Sequence, residues 1–243
     1  MNLGGGAGWR VDDYRRFDSE RTRPARDLLA RVPQGLRRRI VDLGYGPGNS
    51  TALLAERYPE AEIVGFDSSP DMLVAAKARL ANVEFRRGDI AEWSDTNADL
   101  AFSNAAQHWV RDHVGVMRRI AERPPRGGCL AVQMPDNEDE PSHALMREIA
   151  TMQRFRSKLA DATTAREPIG AFADYDDALS PCCDSVDLWR TTYAHRLAGP
   201  AEERAEYLTL YRDEIIRAYP PRGGGVLLPF PWLFIVATRQ QRD

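Results

Sequence analysis

Three glycines at alternate positions form the first candidate binding site in this sequence. Gly44, Gly46 and Gly48 follow a short apolar run and precede a polar, then apolar stretch, which is the order of a strand, a turn and a helix N-terminus. Such a turn lets the backbone approach a ligand closely and directs N–H groups toward it. A dinucleotide-binding turn has the spacing G-x-G-x-x-G, whereas Asn49 occupies the sixth position here. The spacing therefore indicates a ligand without a pyrophosphate, with a purely structural turn as the alternative.

Three acids follow successive predicted strands, and together they strengthen the prediction of a ligand site. Asp67 ends the second strand, where a carboxylate can accept hydrogen bonds from both hydroxyls of a ribose. Asp89 ends the third strand, where it can reach an adenine amino group. Asp42 precedes the glycines, and it can face a ligand's ammonium group or tie down backbone amides of the turn. Each acid alone is equally well explained as a turn residue, but the set indicates an adenosine-containing ligand at one edge of a sheet.

The elements that must position these residues alternate along the first half of the chain. Hydrophobic periodicity and end signals predict strands and helices in turn. The predicted strands are residues 39–44, 61–67, 83–89, 98–106 and 128–137, and the predicted helices are residues 24–32, 49–58, 69–80 and 113–123. Alternation at this spacing indicates βαβ units, so we predict an α/β fold with a doubly wound, mostly parallel sheet and helices on both of its faces.

The second half of the chain has a different pattern. Its predicted elements are a helix over 142–160, a strand over 186–197, a helix over 201–219 and a strand over 226–238. Pro229 and Pro231 fall in the last strand, and we expect them outside its paired core. Because no repeat or separate boundary is visible, we predict a single domain over 1–243, with a helical cap over 138–181 and a flexible start over 1–11.

Composition and charge exclude several classes of function. The formal net charge is −3, from 33 basic and 36 acidic residues, which gives no support to a nucleic-acid or anionic-membrane surface. The three cysteines have no metal-ligand spacing with the four histidines, so no metal site is predicted, and their usage is typical of a reducing cytoplasm. No apolar segment is long enough to span a bilayer, and no signal peptide is visible. We therefore expect a cytoplasmic protein that acts on a small molecule, as a monomer or weak homodimer.

Four stretches resemble motifs of the class I S-adenosylmethionine-dependent methyltransferases, namely VDLGYGPGNST, IVGFDSSPDML, GDIAEW and ADLAFSNAAQHWVRDH. The resemblance implies a Rossmann-like, seven-stranded sheet whose last strand is antiparallel, and S-adenosyl-L-methionine as the cofactor. It places the three glycines along the methionine part of the cofactor and Asn104 under its amino-acid end. The residues implied around the adenosine are Asp67, Ser68, Met72, Asp89 and Ile90. Asp42 and Tyr45, which belong to the same turn, complete the predicted cofactor site.

Further stretches, among them SERTRPA, QMPDNEDEPSH and YPPR, resemble a branch of this family that methylates a carboxylate of an aconitate-like polycarboxylic acid. A carboxylate is already ionised at neutral pH, so the transfer needs no general base. The substrate does need cationic partners, and the candidates are Arg21 and Arg23, with a surface salt-bridge cluster as the alternative, followed by Arg222. His108 can donate a hydrogen bond to the acceptor carboxylate, or it can simply pack beside Trp109.

Two features depart from the family pattern. Tyr45 stands between the first two glycines, where family members have cysteine, and we expect its side chain to leave the turn and pack against or beside the methionine end of the cofactor. The connection over 195–205 is shorter than in the family, close to the expected substrate pocket. These departures leave open a methyltransferase with a hydroxyl, amine or carbon acceptor, and a protein that binds S-adenosylmethionine without turnover.

Overall fold

In the part of the chain that the structure describes, seven strands join in one sheet. The computed structural model describes residues 18–153, 167–198, 217–220 and 225–240. The strands are β1 (Arg39–Leu43), β2 (Glu62–Asp67), β3 (Glu84–Arg87), β4 (Leu100–Asn104), β5 (Cys129–Pro135), β6 (Cys183–Ala198) and β7 (Gly225–Arg239). The helices are α1 (Asp18–Arg31), α2 (Asn49–Arg57), α3 (Pro70–Arg79), α4 (His113–Ala121), α5 (Pro141–Thr151) and α6 (Phe172–Leu179).

The strand order is β3-β2-β1-β4-β5-β7-β6. The four pairs formed by β1 to β5 are parallel. β7 runs antiparallel to β5, because the Arg239 N–H donates to the Gly128 carbonyl at 2.9 Å while the Asp136 N–H donates to the Pro231 carbonyl at 2.9 Å. The predicted mostly parallel sheet with an antiparallel last strand is therefore confirmed.

Helix placement follows from the chain direction. α2 and α3 lead from β1 to β2 and β3, whereas α4 leads in the other direction, from β4 to β5. Because βαβ crossovers are right-handed, these two groups of helices lie on opposite faces of the sheet. α1 packs against α2, and α6 packs against α4. The carboxyl ends of the parallel strands meet at one edge, which is where the predicted site residues belong.

Prolines mark the main differences from the predicted elements. α1 begins at Asp18, so Pro24 lies inside the helix and not in its first turn. Pro24 is buried, so the packing of its ring offsets part of the cost of the missing N–H donor. Pro229 and Pro231 lie within β7, and the prediction that they lie outside its paired core is wrong for Pro231. Proline lacks the donor but keeps its carbonyl, and the Pro231 carbonyl accepts the Asp136 N–H.

Other predicted boundaries shift by a few residues or cannot be followed. β4 ends at Asn104 because Ala105, with φ 55°, leaves the extended conformation. The predicted helix over 142–160 corresponds to α5, and its last part lies outside the described residues. The predicted helix over 201–219, apart from its end, and the start over 1–11 also lie outside them.

The chain groups into two compact units. The first takes residues 1–134, 170–189 and 234–243, and the second takes 135–169 and 190–233. The predicted cap is divided between them, since α5 belongs to the second unit and α6 to the first, so its role as a cap stays a prediction. Within the first unit, the Tyr175 hydroxyl lies 3.0 Å from His113 Nε2 and links α6 to α4. Among the described residues, no helix has the length and apolarity that crossing a membrane requires.

Candidate active site

A buried acid joins the end of β1 to the first turn of α2. Asp42 is fully buried, and its Oδ2 accepts hydrogen bonds from Ser50 Oγ (2.8 Å) and Thr51 Oγ1 (2.6 Å). Burial raises the pKa of Asp42 to about 6, the two hydroxyl donors act against this, and the charge of Asp67 adds to it. Asp42 Oδ1 has no hydrogen-bond partner in the described part of the structure. The acid therefore ties down two hydroxyls of α2 with one oxygen only.

The glycine turn has a backbone that other residues rarely adopt. Gly44, Gly46 and Gly48 have φ angles of 77°, 54° and 88°. At Gly44 the chains approach closely, because a Cβ there would lie 2.1 Å from Ala106 Cβ. At Gly46 the space is open, since a Cβ there would meet nothing within 4 Å. The turn is thus packed at its first glycine and offers an accessible backbone at its second, as a ligand that contacts the main chain requires.

Asp67 holds the glycine turn against the end of β2. Its Oδ2 accepts the Gly46 N–H at 3.0 Å, and its Oδ1 accepts the Ser69 N–H at 2.9 Å. Ser69 in turn caps α3 by accepting the Met72 N–H at 3.4 Å. Each Asp67 oxygen keeps a second lone pair and the side chain is partly exposed, so it can still accept the hydroxyls of a ribose. Ser68, which the resemblance also places beside the adenosine, is the next residue and is exposed.

The side chain of Tyr45 leaves the turn and packs into the core. It is 2% exposed and forms an apolar cluster with Met72, Ala76 and Phe85, its ring centroid 4.8 Å from that of Phe85. Gly65 makes room for it, since a Cβ there would lie 2.7 Å from Tyr45 Cδ1. Burial raises the pKa of Tyr45, so its hydroxyl stays neutral. Tyr45 and Met72 are packing partners here, and their contact with the cofactor stays a prediction.

The end of β3 places Asp89 and Ile90 near the glycine turn. Asp89 is exposed, and its Oδ1 accepts the Ala91 N–H at 2.9 Å, which caps a short 3-10 turn over Ile90–Glu92. Ile90 is buried, and a Cβ at Gly44 would lie 3.3 Å from its Cδ1. An exposed carboxylate therefore stands beside an apolar side chain, which suits an adenine ring and its amino group.

A strained turn follows β4. Asn104 ends the strand, and Ala105 has φ 55°, a conformation that costs about 1–2 kcal/mol for a residue with a Cβ. A 3-10 turn over Gln107–Trp109 comes next. His108 is 4% exposed, and its ring centroid lies 5.0 Å from that of Trp109. The packed arrangement is therefore the one that the structure contains, and hydrogen bonding from His108 to a substrate stays a prediction.

Two buried glutamines lie at this turn. Gln107 is fully buried, and neither atom of its side-chain amide has a hydrogen-bond partner in the described residues. Gln133, on β5, is also fully buried, and its Nε2 donates to Asn104 Oδ1. Its backbone carbonyl accepts the Ala105 N–H at 3.0 Å. Gln133 is not among the residues predicted for the site, although a lone amide within an otherwise apolar strand is a signal for it.

The predicted cationic residues are only partly within the described structure. Arg21 and Arg23 both lie in α1, and the Arg23 side chain is exposed. The Arg21 side chain and the whole of Arg222 lie outside the described part. Their contact with a substrate carboxylate stays a prediction.

The segment that carries the candidate site, residues 40–128, matches a methyltransferase domain family. Trans-aconitate 2-methyltransferase of Methylobacterium nodulans is 47% identical, over 96% of this chain and 99% of that protein. Proteins of the same name from Afipia carboxidovorans and Paracidovorax citrulli are 46% and 44% identical, over 96% and 95% of this chain and 100% and 98% of theirs. These alignments span 255 positions, more than the 243 residues present here, so the relatives have residues within the aligned span that this chain lacks.

Solved structures of low sequence identity share the fold. The YcgJ protein of Bacillus subtilis aligns with a TM-score of 0.62 at 13% identity, over 90% of this chain and 99% of that one. Haemonchus contortus phosphoethanolamine N-methyltransferase 2, solved with S-adenosyl-L-methionine, aligns with a TM-score of 0.57 at 14% identity, over 90% of this chain and 53% of that one. The identity with the bacterial relatives over almost the whole length decides the family. The chain belongs to the trans-aconitate 2-methyltransferase family and is an S-adenosylmethionine-dependent methyltransferase.

Proposed function

We propose that this enzyme transfers the methyl group of S-adenosylmethionine to one carboxylate of trans-aconitate, or of a closely similar small polycarboxylic acid, to form a methyl ester. The observation that carries the proposal is the 47% identity, over 96% of the chain, with a protein that is named for this activity. Relatives of the same name at 46% and 44% identity give the same support. What the proposal adds to family membership is the identity of the methyl acceptor.

The residues around the glycine turn fit the methyl donor. Space is open at Gly46, Asp67 keeps lone pairs for two hydroxyls, and Asp42 Oδ1 lacks a partner among the described residues. In this proposal the methionine part follows the turn, the ribose meets Asp67, and the adenine meets Asp89 and Ile90. When bound, the cofactor supplies a methyl group on a positively charged sulfur, which makes that carbon electrophilic.

The chemistry asked of the protein is positioning. An acceptor carboxyl with a pKa of about 4 is ionised at neutral pH, so no residue has to remove its proton. The protein must hold one carboxylate oxygen in line with the methyl group and must exclude water, because both lower the barrier of a displacement. In this proposal the event takes place beside Asn104 and the turn over Gln107–Trp109, in which Gln107 and His108 are buried.

A polycarboxylate needs cations for the carboxylates that do not react. Arg21, Arg23 and Arg222 are the candidates, because a guanidinium can bind a carboxylate through two parallel hydrogen bonds. Replacement of both Arg21 and Arg23 by alanine should raise KM for the polycarboxylate and leave the Kd for S-adenosylhomocysteine near that of the parent. An unchanged KM would remove these two residues from the substrate site.

A direct assay tests the acceptor. Incubation with methyl-labelled S-adenosylmethionine and trans-aconitate should give a labelled, base-labile ester, whereas an acceptor whose carboxylates are amidated should stay unlabelled. If neither trans-aconitate nor any other di- or tricarboxylate accepts the label, the proposed acceptor is wrong, although the protein remains a methyltransferase. Label in a hydroxyl, amine or carbon acceptor in the same screen would identify the replacement.

We further propose that the enzyme works in the cytoplasm on a free small molecule, without nucleic acid or membrane, as a monomer or weak homodimer. A net charge of −3 and three free thiols support this setting. Light scattering on a size-exclusion column gives the mass in solution, and a stable assembly larger than a dimer would contradict the last point.

A further inference from the structure

A fully buried glutamine lies beside the last residue of β4. β4 and β5 pair in parallel with Asn104 opposite Gln133. The turn that follows Asn104 stands against the first glycine, because a Cβ at Gly44 would lie 2.1 Å from Ala106 Cβ. Asn104 and Gln133 are therefore neighbours at the carboxyl edge of the sheet, next to the glycine turn.

Gln133 is the only amide in a strand that is buried throughout. β5 reads Cys-Leu-Ala-Val-Gln-Met-Pro, and all seven residues are buried. An amide is costly to bury unless it makes hydrogen bonds, and an apolar residue would fill the same space without that cost. The contact that the amide side chain adds is the hydrogen bond from its Nε2 to Asn104 Oδ1, whereas its Oε1 has no hydrogen-bond partner among the described residues. This contact, more than packing, accounts for a glutamine at this position.

The direction of this hydrogen bond decides which atoms of Asn104 remain for a ligand. A primary amide has an acceptor oxygen at one end and two N–H donors at the other. Gln133 engages the Asn104 oxygen, and the Asn104 side chain is only partly buried, so its Nδ2 donors are left for another partner. N–H donors are what a carboxylate requires, whereas a carbonyl oxygen in the same place would repel it.

We propose that Gln133 is a positioning residue that makes Asn104 present its N–H donors to a carboxylate at the methyl-transfer centre. The inference rests on the proposed function for the place of that centre. The carboxylate belongs to the methyl acceptor or to the methionine part of the cofactor, and the recognition chemistry is the same for both. Gln133 touches neither molecule and acts through Asn104.

Substitutions of Asn104 test which end of its amide faces the carboxylate. Asn104→Asp keeps the size and the acceptor for Gln133, but it replaces the donor end with an anionic oxygen. We expect Asn104→Asp to weaken ligand binding more than Asn104→Ala does. If Asn104→Asp is instead tolerated better than Asn104→Ala, the carbonyl end faces the ligand and the proposal is overturned. Two constants are measured, KM for trans-aconitate and the calorimetric Kd for S-adenosylhomocysteine, and the constant that changes shows which molecule carries the carboxylate.

Gln133→Met tests whether Gln133 acts through Asn104, because methionine keeps the length and removes the amide. We expect a ten- to hundredfold weakening, roughly, in whichever constant Asn104→Ala changes, and no further weakening when both substitutions are combined. Unchanged constants, or effects that add in the double variant, would overturn the proposal. Val132→Ala, at a fully buried neighbour on β5, is the matched control, which should lower the unfolding temperature and leave both constants near those of the parent.

The outcomes separate this inference from the proposed function. A parent enzyme that methylates no polycarboxylate defeats the proposed acceptor, and the Kd for S-adenosylhomocysteine then decides on Gln133 alone. If Gln133→Met does not fold, the comparison of Asn104→Asp with Asn104→Ala decides on the amide orientation.

Discussion

The burial of Asp42 leads to a stability prediction of defined sign and size. Its carboxylate is 0% exposed, and its pKa is raised from 3.8 to about 6 because burial removes the hydration of the charged form. Asp42→Asn removes the charge and keeps the shape, and the amide oxygen can still accept from Ser50 and Thr51. We expect the variant to be more stable than the parent at neutral pH.

The sign follows from proton binding in the two states. The folded chain holds the Asp42 proton more tightly than the unfolded chain, so the contribution of this group to stability is complete below about pH 4 and is lost as the pH rises through about 6. A pKa shift from 3.8 to about 6 means that the free energy of unfolding of the parent falls by about 3 kcal/mol as Asp42 ionises. The asparagine variant cannot ionise there, so it avoids this fall and is more stable than the parent by that amount. At pH 8 this gain amounts to roughly 6–12 °C in unfolding temperature for a chain of this size, and at pH 4 the two proteins should differ little.

Urea unfolding of parent and variant at pH 4.5, 6 and 8 gives the measurement. The matched control is Asp139→Asn, at an exposed acid, which should change stability little at any of these pH values. Equal stabilities at pH 8, or a less stable Asp42→Asn variant, would refute the reasoning. Either result would mean that the charged form of Asp42 is held by an interaction that outweighs its burial.

Further substitutions test the packing and strain around the site. Tyr45→Cys should destabilise the fold by about 3–5 kcal/mol, because it removes a buried ring. Calorimetry should still detect S-adenosylhomocysteine binding to this variant, and loss of binding would show a direct role for the ring. Gly65→Ala should cost about 1–3 kcal/mol in urea unfolding, because the new methyl group meets Tyr45 Cδ1 at 2.7 Å and Phe85 Cδ1 at 2.5 Å, and a smaller cost is expected in the Tyr45→Cys background. Ala105→Gly should raise the free energy of unfolding by up to about 1 kcal/mol by relieving the positive φ, and no gain would mean that the turn is unstrained. Gln107→Leu should raise the free energy of unfolding by about 1–3 kcal/mol, because it removes a buried amide that lacks hydrogen-bond partners among the described residues. A lower free energy of unfolding would show that the amide has a partner.

The cofactor part of the site could be predicted because its signals are local. A positive φ favours glycine whatever the rest of the chain does, so Gly44 and Gly46 are visible in the sequence. Strand-end acids are equally local: Asp67 ends β2 as predicted, whereas β3 ends at Arg87 and Asp89 follows it by two residues. Alternating strands and helices likewise predicted the parallel part of the sheet.

The partners of these residues could not be predicted, because they lie on strands far apart in the sequence. For Asp42 the sequence left open a ligand's ammonium group or another cation, or backbone amides, and it did not indicate the two hydroxyls of α2 that one carboxylate oxygen holds. The sequence predicts that the Tyr45 side chain leaves the turn, but it does not show that Gly65 on the neighbouring strand opens a place for the ring in the core. Gln133 stands out as a lone amide in an apolar strand, but only the register of β5 shows that its partner is Asn104.

By itself the sequence determined the order of elements, the glycine turn and the acids that surround it, since periodicity and backbone angles depend on neighbouring residues. Only the tertiary structure decided which core residues the Tyr45 ring packs against. It also decided that the Pro231 carbonyl accepts a backbone hydrogen bond within the sheet and that Gln133 donates to the side-chain oxygen of Asn104. The physical reason is that a side chain's burial and hydrogen bonds are set by strand register and crossover, which bring together residues that no local pattern connects.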